Sequence, residues 1–213
     1  MLSVITLVLG VVQTNTYLVA DPSTREAVVI DPAWEGEKIL AEANQRDWQI
    51  KSIWITHAHF DHIGGVVEIV EGCKPSPPVA LHPADKWLWQ TQGNASLFGL
   101  KIKPGPVPSI DLSVERFLWL GKTQFEVRHV PGHTPGHVVF YSAENCLAFC
   151  GDVIFQGSIG RTDLPGGDYD TLIQHIQDQI LSMPNETRLL SGHGPETSVG
   201  FERANNPYLT YLA

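Results

Sequence analysis

One stretch of the chain holds four potential metal ligands within six residues: Thr56-His57-Ala58-His59-Phe60-Asp61-His62. His57 and His59 are two residues apart, so in extended backbone their side chains leave on the same side and can bind one ion. Asp61 and His62 fall where the chain turns into an apolar helical pattern, and this turn can aim them at a second position. The stretch therefore predicts two adjacent metal sites.

A simpler interpretation treats the same residues as ordinary polar side chains. Asp61 would then be a helix N-cap, and the histidines would lie in a loop. One histidine alone would fit that interpretation. Three histidines and an aspartate at this density, directly after a predicted buried strand, favour the metal sites.

Composition and charge limit the classes of protein to which the chain can belong. The 213 residues are 43% hydrophobic, which is enough for one domain with a full core. The three cysteines are an odd number and widely spaced, which is typical of a reducing compartment. The net charge of −9, without a run of Lys or Arg, argues against nucleic acid as a partner.

The N-terminal segment is apolar but does not have the features of a targeting signal. Residues 1–12 contain no basic region and no small-residue cleavage pattern, and the segment is too short to span a bilayer. We expect a buried strand here, no association with a membrane and a cytoplasmic location.

The order of predicted elements indicates a layered α/β domain. Apolar runs rich in Val and Ile predict strands, whereas apolar residues at helical spacing predict helices. The polar residues 13–16 predict a turn, and residues 94–112, with several Gly and Pro, predict a long connection. The predicted strands are 2–9, 17–20, 27–30, 50–55, 79–82, 116–120, 123–130, 138–142, 146–150 and 187–190, and the predicted helices are 36–45, 63–70, 84–90 and 168–180.

Three further candidate ligands, His133, Asp152 and His193, share one sequence context. Each directly follows a predicted strand, and each is flanked by glycine, which lets the backbone turn sharply. Each residue alone is more typical of a turn. Because each half of the chain contributes candidates at strand ends, we expect one site between two similar sheet-bearing halves.

These motifs together resemble the metallo-β-lactamase fold family. The likeness lies in the opening stretch followed by Gly132-His133, Gly151-Asp152 and Gly192-His193-Gly194, in that order, and it covers nearly the whole chain. The resemblance implies an α/β fold, a four-layer αββα sandwich, with residues 1–213 forming a single domain.

The resemblance also implies a set of ligands for each metal position. It assigns one metal to His57, His59 and His133, the other to Asp61, His62 and His193, and a bridging role to Asp152. Asp61 and Asp152 are the implied catalytic residues, and Asp61 could also accept a proton or orient the attacking water. Three imidazoles with an open position suit Zn2+, one or two ions per chain, and the mixed ligand set would also accept Fe or Mn.

Asp152 separates this chain from the best-known lactamases, which the family resemblance indicates have a cysteine at that position. Antibiotic hydrolysis is therefore disfavoured, and the pattern looks more like glyoxalase II, lactonases, tRNA-processing nucleases and persulfide dioxygenases. The absence of a basic patch argues against the nucleases. His137 and Thr134 could support the ligands, but a structural role in the turn is the preferred interpretation.

The segment Gly157-Ser158-Ile159-Gly160-Arg161 resembles the glyoxalase II segment in which a basic residue contacts the glycine carboxylate of glutathione. Arg161 can bind a carboxylate through two parallel hydrogen bonds. Residues 162–167 then depart from the glyoxalase pattern. Because the sequence runs only to Ala213, we expect it to lack the C-terminal helical glutathione-binding domain and to resemble a short bacterial glyoxalase II-like hydrolase.

We therefore expect a metal-dependent thioester hydrolase, a hydroxyacylglutathione hydrolase acting on a small glutathione-derived thioester such as S-lactoylglutathione. Hydroxide from a metal-bound water would attack the carbonyl. The main alternative is a persulfide dioxygenase with a single iron held by His57, His133 and Asp152. A lactonase and a non-catalytic metal-binding module are further alternatives, and the sequence does not define the oligomeric state.

Overall fold

The computed structural model describes residues 2–209, which form two facing six-stranded sheets. In the first sheet the strands lie in chain order; the first three are antiparallel and the next three run parallel to the third. Its strands are β1 (Ser3–Leu9), β2 (Thr14–Asp21), β3 (Glu26–Ile30), β4 (Gln49–Trp54), β5 (Val79–Leu81) and β6 (Ile110–Asp111).

The second sheet is built from the later part of the chain, in the spatial order β14-β13-β10-β9-β8-β7. Its strands are β7 (Phe117–Leu120), β8 (Thr123–His129), β9 (Val138–Ser142), β10 (Leu147–Gly151), β13 (Arg188–Ser191) and β14 (Thr197–Ser198). The pair β10 and β13 is parallel, and a separate short hairpin joins β11 (Ile154–Phe155) to β12 (Ser158–Ile159).

Helices cover the outer face of each sheet. The helices are α1 (Gly36–Gln45), α2 (Phe60–Ile63), α3 (Val66–Gly72), α4 (Lys86–Gln90), α5 (Tyr169–His175) and α6 (Val199–Asn205). Buried apolar residues of α1 and α3 pack on the first sheet, and those of α5 and α6 pack on the second. A third apolar cluster lies between the sheets, so the predicted four-layer αββα sandwich is confirmed.

Aromatic rings fill the layer between the two sheets. The buried ring of Trp54, on β4, contacts Phe125 and Phe140 of the second sheet at centroid distances of 5.2 and 5.3 Å. Burial of such large side chains is a major source of stability. Packing across this layer also sets the position of one sheet relative to the other, and therefore of the loops that follow their strands.

The predicted turn at residues 13–16 is wrong, because β2 begins at Thr14. Thr14 and Thr16 pair with Leu9 and Leu7 of β1, so the ladder continues through the polar residues. Asn15 is buried, and the cost of burying its side-chain amide is offset by a hydrogen bond of 3.0 Å that it donates to the backbone oxygen of Ser191. These polar residues are satisfied by partners far along the chain, which the local sequence does not reveal.

The helix predicted over residues 63–70 is interrupted near its start. Ile63 is the last residue of α2, Gly64 and Gly65 form a break, and α3 begins at Val66. The backbone amide of Gly65 donates to the oxygen of Pro32 at 2.8 Å instead of continuing the helix. A Cβ at Gly64 would overlap the backbone oxygen of Ala33. The two glycines thus allow the segment 32–33 to pack directly against the break.

The long connection predicted for residues 94–112 is only partly irregular. Its beginning belongs to a 3-10 helical segment, Gln92–Phe98, and its end contains β6. The C-terminal elements β14 and α6 were also not predicted. None of the helices within residues 2–209 is long and apolar enough to cross a membrane.

Candidate metal centre

The loops after four strands deliver the seven candidate ligands to one place. The loop after β4 carries His57 and His59, and the loop after β8 carries His133. Asp152 and His193 follow β10 and β13, which are neighbours in the second sheet. Since both sheets end at the same edge of the sandwich, residues more than 130 positions apart become neighbours.

Three imidazoles form the first group, His57, His59 and His133, all of them buried. Nε2 of His133 lies 2.9 Å from Nδ1 of His59 and 3.2 Å from Nε2 of His57. A tetrahedral ion with bonds of about 2.0–2.1 Å separates its nitrogen ligands by roughly 3.3 Å. The spacing of the three nitrogens therefore fits a shared metal.

Asp61, His62 and His193 form the second group. Nε2 of His193 lies 3.2 Å from Oδ2 of Asp61, and Nε2 of His62 lies 3.5 Å from the same oxygen. Nε2 of His62 is buried and has no hydrogen-bond partner among residues 2–209. A buried nitrogen left in this state is costly unless an ion binds it, so this group also fits a metal.

Asp152 lies between the two groups. Its Oδ2 is 3.7 Å from Nε2 of His133 and 3.5 Å from Nε2 of His193, one residue from each group. Its Oδ1 lies 3.3 Å from Nε2 of His62. The carboxylate can therefore reach both positions, as a bridging ligand must.

Burial and neighbouring charges set the protonation of these side chains. Burial, helped by the surrounding imidazoles, lowers the pKa of His57 well below its usual value and lowers the pKa of His59 to about 3. Burial opposes the charge on Asp152, but His62 and His193 outweigh it and the pKa of that carboxyl lies far below its usual value. Neutral imidazoles and ionised carboxylates are the forms that bind metals. The neighbouring carboxylates outweigh burial and raise the pKa of His62 and His193, so a metal at the second group would displace protons.

Asp31 supports the second group, a role that was not predicted. Its Oδ2 accepts hydrogen bonds from Nδ1 of His62 at 2.9 Å and from Oγ1 of Thr56 at 2.6 Å, and its Oδ1 accepts from the backbone amide of Thr56 at 2.8 Å. Although Asp31 lies close enough to His57 and His62 to complete a third ligand group, both its oxygens are occupied. It therefore orients His62, with Nε2 facing the centre.

Asp85 is a second buried aspartate that was not predicted. It accepts hydrogen bonds from the backbone amide of Ala58 at 3.1 Å and from the backbone amide of Gly136 at 2.6 Å. These two amides belong to the loops that carry the first group. No local motif marks Asp85 or Asp31, and only their positions near strand ends could have suggested such roles.

His137 does more than shape the turn, which was the preferred interpretation. Its Nε2 accepts a hydrogen bond from the backbone amide of Asp152 at 3.0 Å. Its ring stacks on His57 with a centroid distance of 4.6 Å and an interplanar angle of 17°. Burial lowers the pKa of His137 well below its usual value, so the neutral ring remains an acceptor.

Arg161 approaches the centre through its backbone. Its carbonyl oxygen accepts a hydrogen bond from Nδ1 of His133 at 2.7 Å, which leaves Nε2 of that ring free for a metal. Its guanidinium donates two hydrogen bonds of 2.7 Å to the carboxylate of Asp163, which keeps the pKa of Arg161 raised. The side chain lines the same cavity of about 430 Å³ as five of the candidate ligands.

The chain belongs to the metallo-beta-lactamase superfamily, because the model of that family matches residues 9–193. It is similar to the probable metallo-hydrolase YqgX of Bacillus subtilis, with 39% identity over 94% of each chain. It is also 37% identical to hydroxyacylglutathione hydrolase GloC of Haemophilus influenzae, over 92% of this chain and 93% of the relative. The metal-dependent hydrolase class follows from the family.

Two solved structures share the fold at substantial sequence identity. BLEG-1 B3 metallo-beta-lactamase superposes with a TM-score of 0.90 at 38% identity, covering 99% of this chain and 100% of the other. TTHA1623 in a di-iron-bound form gives a TM-score of 0.86 at 42% identity, covering 96% and 100%. These likenesses agree with a metal-binding centre and leave the identity of the metal open.

Proposed function

We propose that this protein is a metal-dependent hydrolase of thioesters, a hydroxyacylglutathione hydrolase with S-lactoylglutathione as its model substrate. The observation that carries the proposal is the convergence of seven ligand-type side chains, five of which line one wall of a cavity whose other described lining residues are mostly apolar. The GloC relative, at 37% identity over nearly the full length, supports this substrate class.

Within the proposal, each of the two groups holds one metal position. His57, His59 and His133 bind at the first, Asp61, His62 and His193 bind at the second, and Asp152 bridges them. Zn2+ suits the imidazole-rich set, and Fe or Mn also fits it. When bound, a divalent metal lowers the pKa of a coordinated water to about 7 and polarises a carbonyl oxygen.

The polar residues of the cavity favour a thioester over an amide. Besides the candidate ligands, the polar side chains among its described lining residues are Asn94, Ser158 and Arg161. None of these is an effective proton donor at neutral pH, and the ion pair with Asp163 raises the pKa of Arg161 further. A thiol of pKa about 8.5 can leave as the thiolate without a proton donor.

Asp61 is positioned to act on the attacking water as well as to bind metal. Its Oδ2 accepts a hydrogen bond from Oγ1 of Thr14 at 3.0 Å, which fixes the orientation of the carboxylate. Without metal, the charge of protonated His62 outweighs the effect of burial and lowers the pKa of Asp61; a bound metal would supply positive charge in its place once His62 is a neutral ligand. The ionised carboxylate can accept a hydrogen bond from the water and orient it toward the carbonyl carbon.

Arg161 is the proposed contact for the carboxylate of the thiol part. Its guanidinium already binds Asp163 through two parallel bonds, the geometry that a substrate carboxylate would use. Because both residues are largely exposed, the pair is weak enough for a substrate to exchange with it. Arg161→Lys keeps the charge but loses the paired geometry, so we expect KM to rise more than kcat falls.

A persulfide dioxygenase is the second candidate, and the observation behind it is that a similar structure, 42% identical, binds iron. One iron would be held by His57, His133 and Asp152, a set of two imidazoles and one carboxylate with open positions. The likeness to BLEG-1 adds β-lactams to the substrates to be tested, and a lactone completes that panel.

The deciding experiment uses protein purified without added metal. Its metal content is measured on the same sample that is assayed for hydrolysis of S-lactoylglutathione, of a lactone and of a β-lactam, and for oxygen uptake on glutathione persulfide. We expect thioester hydrolysis, and its loss in a folded Asp152→Ala variant. Iron with oxygen uptake and no hydrolysis would overturn the proposal, and unchanged turnover in Asp152→Ala would overturn the bridging role.

A further inference from the structure

We infer that the acyl group of the thioester lies against an apolar wall formed by Val12, Leu97 and Phe98. The enzyme would then prefer apolar acyl groups of several carbons over a small polar group such as lactoyl. This inference rests on the proposed thioester hydrolysis and specifies which thioesters fit the site.

The apolar wall lines the same cavity as the candidate ligands. Val12 comes from the turn between β1 and β2, whereas Leu97 and Phe98 come from the 3-10 segment after α4. The two segments are far apart in sequence, so their meeting beside the metal centre is a product of the fold. A substrate carbonyl at the centre would have its substituents within reach of these side chains.

The three side chains of the wall are substantially exposed to water, and a bound ligand would cover part of their apolar surface. Leu97 is 64% exposed, Phe98 47% and Val12 43%. Contact between such side chains and an apolar group removes the surface of both from water, which is favourable in proportion to the area. A lactoyl group would gain less, because its hydroxyl would give up hydrogen bonds to water that an apolar wall cannot replace.

Packing fixes the position of Phe98 relative to the metal centre. The ring of Phe98 contacts Phe60, the first residue of α2, at a centroid distance of 5.1 Å. Gly93 adopts a left-handed conformation with φ of +62°, and a Cβ there would overlap the backbone nitrogen of Phe60. Since Phe60 lies between His59 and Asp61, Phe98 needs little ordering when the substrate binds.

The other part of the thioester has a separate place. Arg161 also borders a second cavity of about 290 Å³, together with Tyr169 and Tyr208. Val12, Leu97 and Phe98 are not among the described residues that line this second cavity. A thiol whose carboxylate binds Arg161 would extend there, which leaves the acyl group on the side of the wall.

A kinetic series tests the acyl assignment. The holoenzyme is assayed with lactoyl, acetyl, butanoyl and hexanoyl thioesters of glutathione. We expect kcat/KM to rise roughly fourfold for each added methylene that the wall buries, and Phe98→Ala to flatten this dependence. The matched control is Phe117→Ala, because Phe117 on β7 is 46% exposed and lies outside this cavity, and it should keep the wild-type slope.

A binding experiment separates this inference from the proposed function. Calorimetric titration with butanoate and hexanoate measures the same preference without turnover. Tighter binding of hexanoate, lost in Phe98→Ala and kept in Phe117→Ala, supports the wall even if no thioester is cleaved. Affinity and kcat/KM that do not depend on acyl length would overturn it.

Discussion

Asp85 accepts a hydrogen bond from the hydroxyl of Thr134 at 2.8 Å, across 49 residues of sequence. The same carboxylate accepts from the backbone amides of Ala58 and Gly136. One buried side chain thus ties the loop of the paired histidines to the loop of His133. The relative position of the two loops, and with it the geometry of the first metal position, depends on this carboxylate.

Asp85→Ala should therefore destabilise the fold and weaken the first metal position. Three donors would lose their acceptor in a buried region, which we expect to cost about 3 kcal/mol or more. Urea denaturation of the metal-free protein measures this cost without a contribution from metal. Asp111→Ala, at an exposed aspartate, is the control and should change stability by less than about 1 kcal/mol; an equal effect of both variants would contradict the prediction.

Asp31→Asn should weaken the second metal position selectively. In the carboxylate, Oδ2 accepts from His62 and from the Thr56 hydroxyl while Oδ1 accepts from the Thr56 backbone amide. Asparagine has one acceptor oxygen, so one of these two positions would hold an NH2 group that faces a donor. We expect a 10- to 100-fold loss of affinity at the second position, with the first position retained. Metal content during competition with a chelator gives the two affinities, and parallel loss at both positions would argue against the selective role of Asp31.

Gly192→Ala should disturb the centre through a steric clash. A Cβ at Gly192 would overlap Oδ1 of Asp152 and lie 2.7 Å from Cε1 of His62. We expect Asp152 to be displaced and metal binding to fall at least tenfold. Gly194→Ala is the control: it has open space but a positive φ of +73°, so it should cost about 1 kcal/mol of stability and leave metal content unchanged.

His82 should make stability depend on pH. Burial and the stacked ring of His129 lower its pKa to about 4, and its Nδ1 accepts a hydrogen bond from the backbone amide of Ala84 at 3.3 Å. In the unfolded chain the pKa returns to about 6.5. Between these two values the unfolded state binds the extra proton, so stability falls as the pH is lowered from 6.5 to 4.

The comparison variant for this pH dependence is His82→Asn. Asparagine can accept the same hydrogen bond from Ala84 but does not titrate. Thermal melts at pH 4 to 7 should show a smaller loss of Tm in the variant than in the wild type. Identical pH profiles of Tm would show that His82 does not contribute.

Removal of metal should lower Tm, because a ligand that binds only the folded state stabilises it. A free metal concentration about 100 times Kd adds about 2.7 kcal/mol, which is roughly 5–10 °C for a chain of this size. Melting curves with and without a chelator measure the shift. His175→Ala, at a histidine on α5, should keep the shift, whereas His133→Ala should reduce it; an equal shift in both would argue against the ligand role of His133.

Much of the fold could be predicted from local patterns. Apolar alternation and glycine punctuation gave most strands and the helix 36–45 correctly, because burial of one face leaves a periodic trace in the sequence. The family resemblance supplied the layer order, which the structure confirms. The errors at residues 13–16 and 63–70 have one cause: Asn15 and Gly65 are satisfied by Ser191 and Pro32, partners outside their own segments.

The candidate ligands were identifiable because chemistry and spacing coincide in the sequence. Four candidates stand in one dense stretch after a strand, and His133, Asp152 and His193 each follow a strand beside glycine. These local signals, in the order of the family's motifs, define the set. The residues that orient them carry no such signal. Asp31 contacts His62, and Asp85 contacts the loops of the first group, only because the strands that precede these residues assemble into sheets.

The sequence by itself therefore predicted the fold class and the set of candidate metal ligands, through side-chain chemistry, short-range periodicity and the resemblance of its motifs to a known family. Only the tertiary structure decided how far apart those residues lie, that Asp152 reaches both groups, and that Val12 meets Leu97 and Phe98 beside them. The physical reason is that these residues lie on loops that follow strands of both sheets. Packing of the apolar layer around Trp54 sets their distances, and no local stretch of sequence encodes that packing alone.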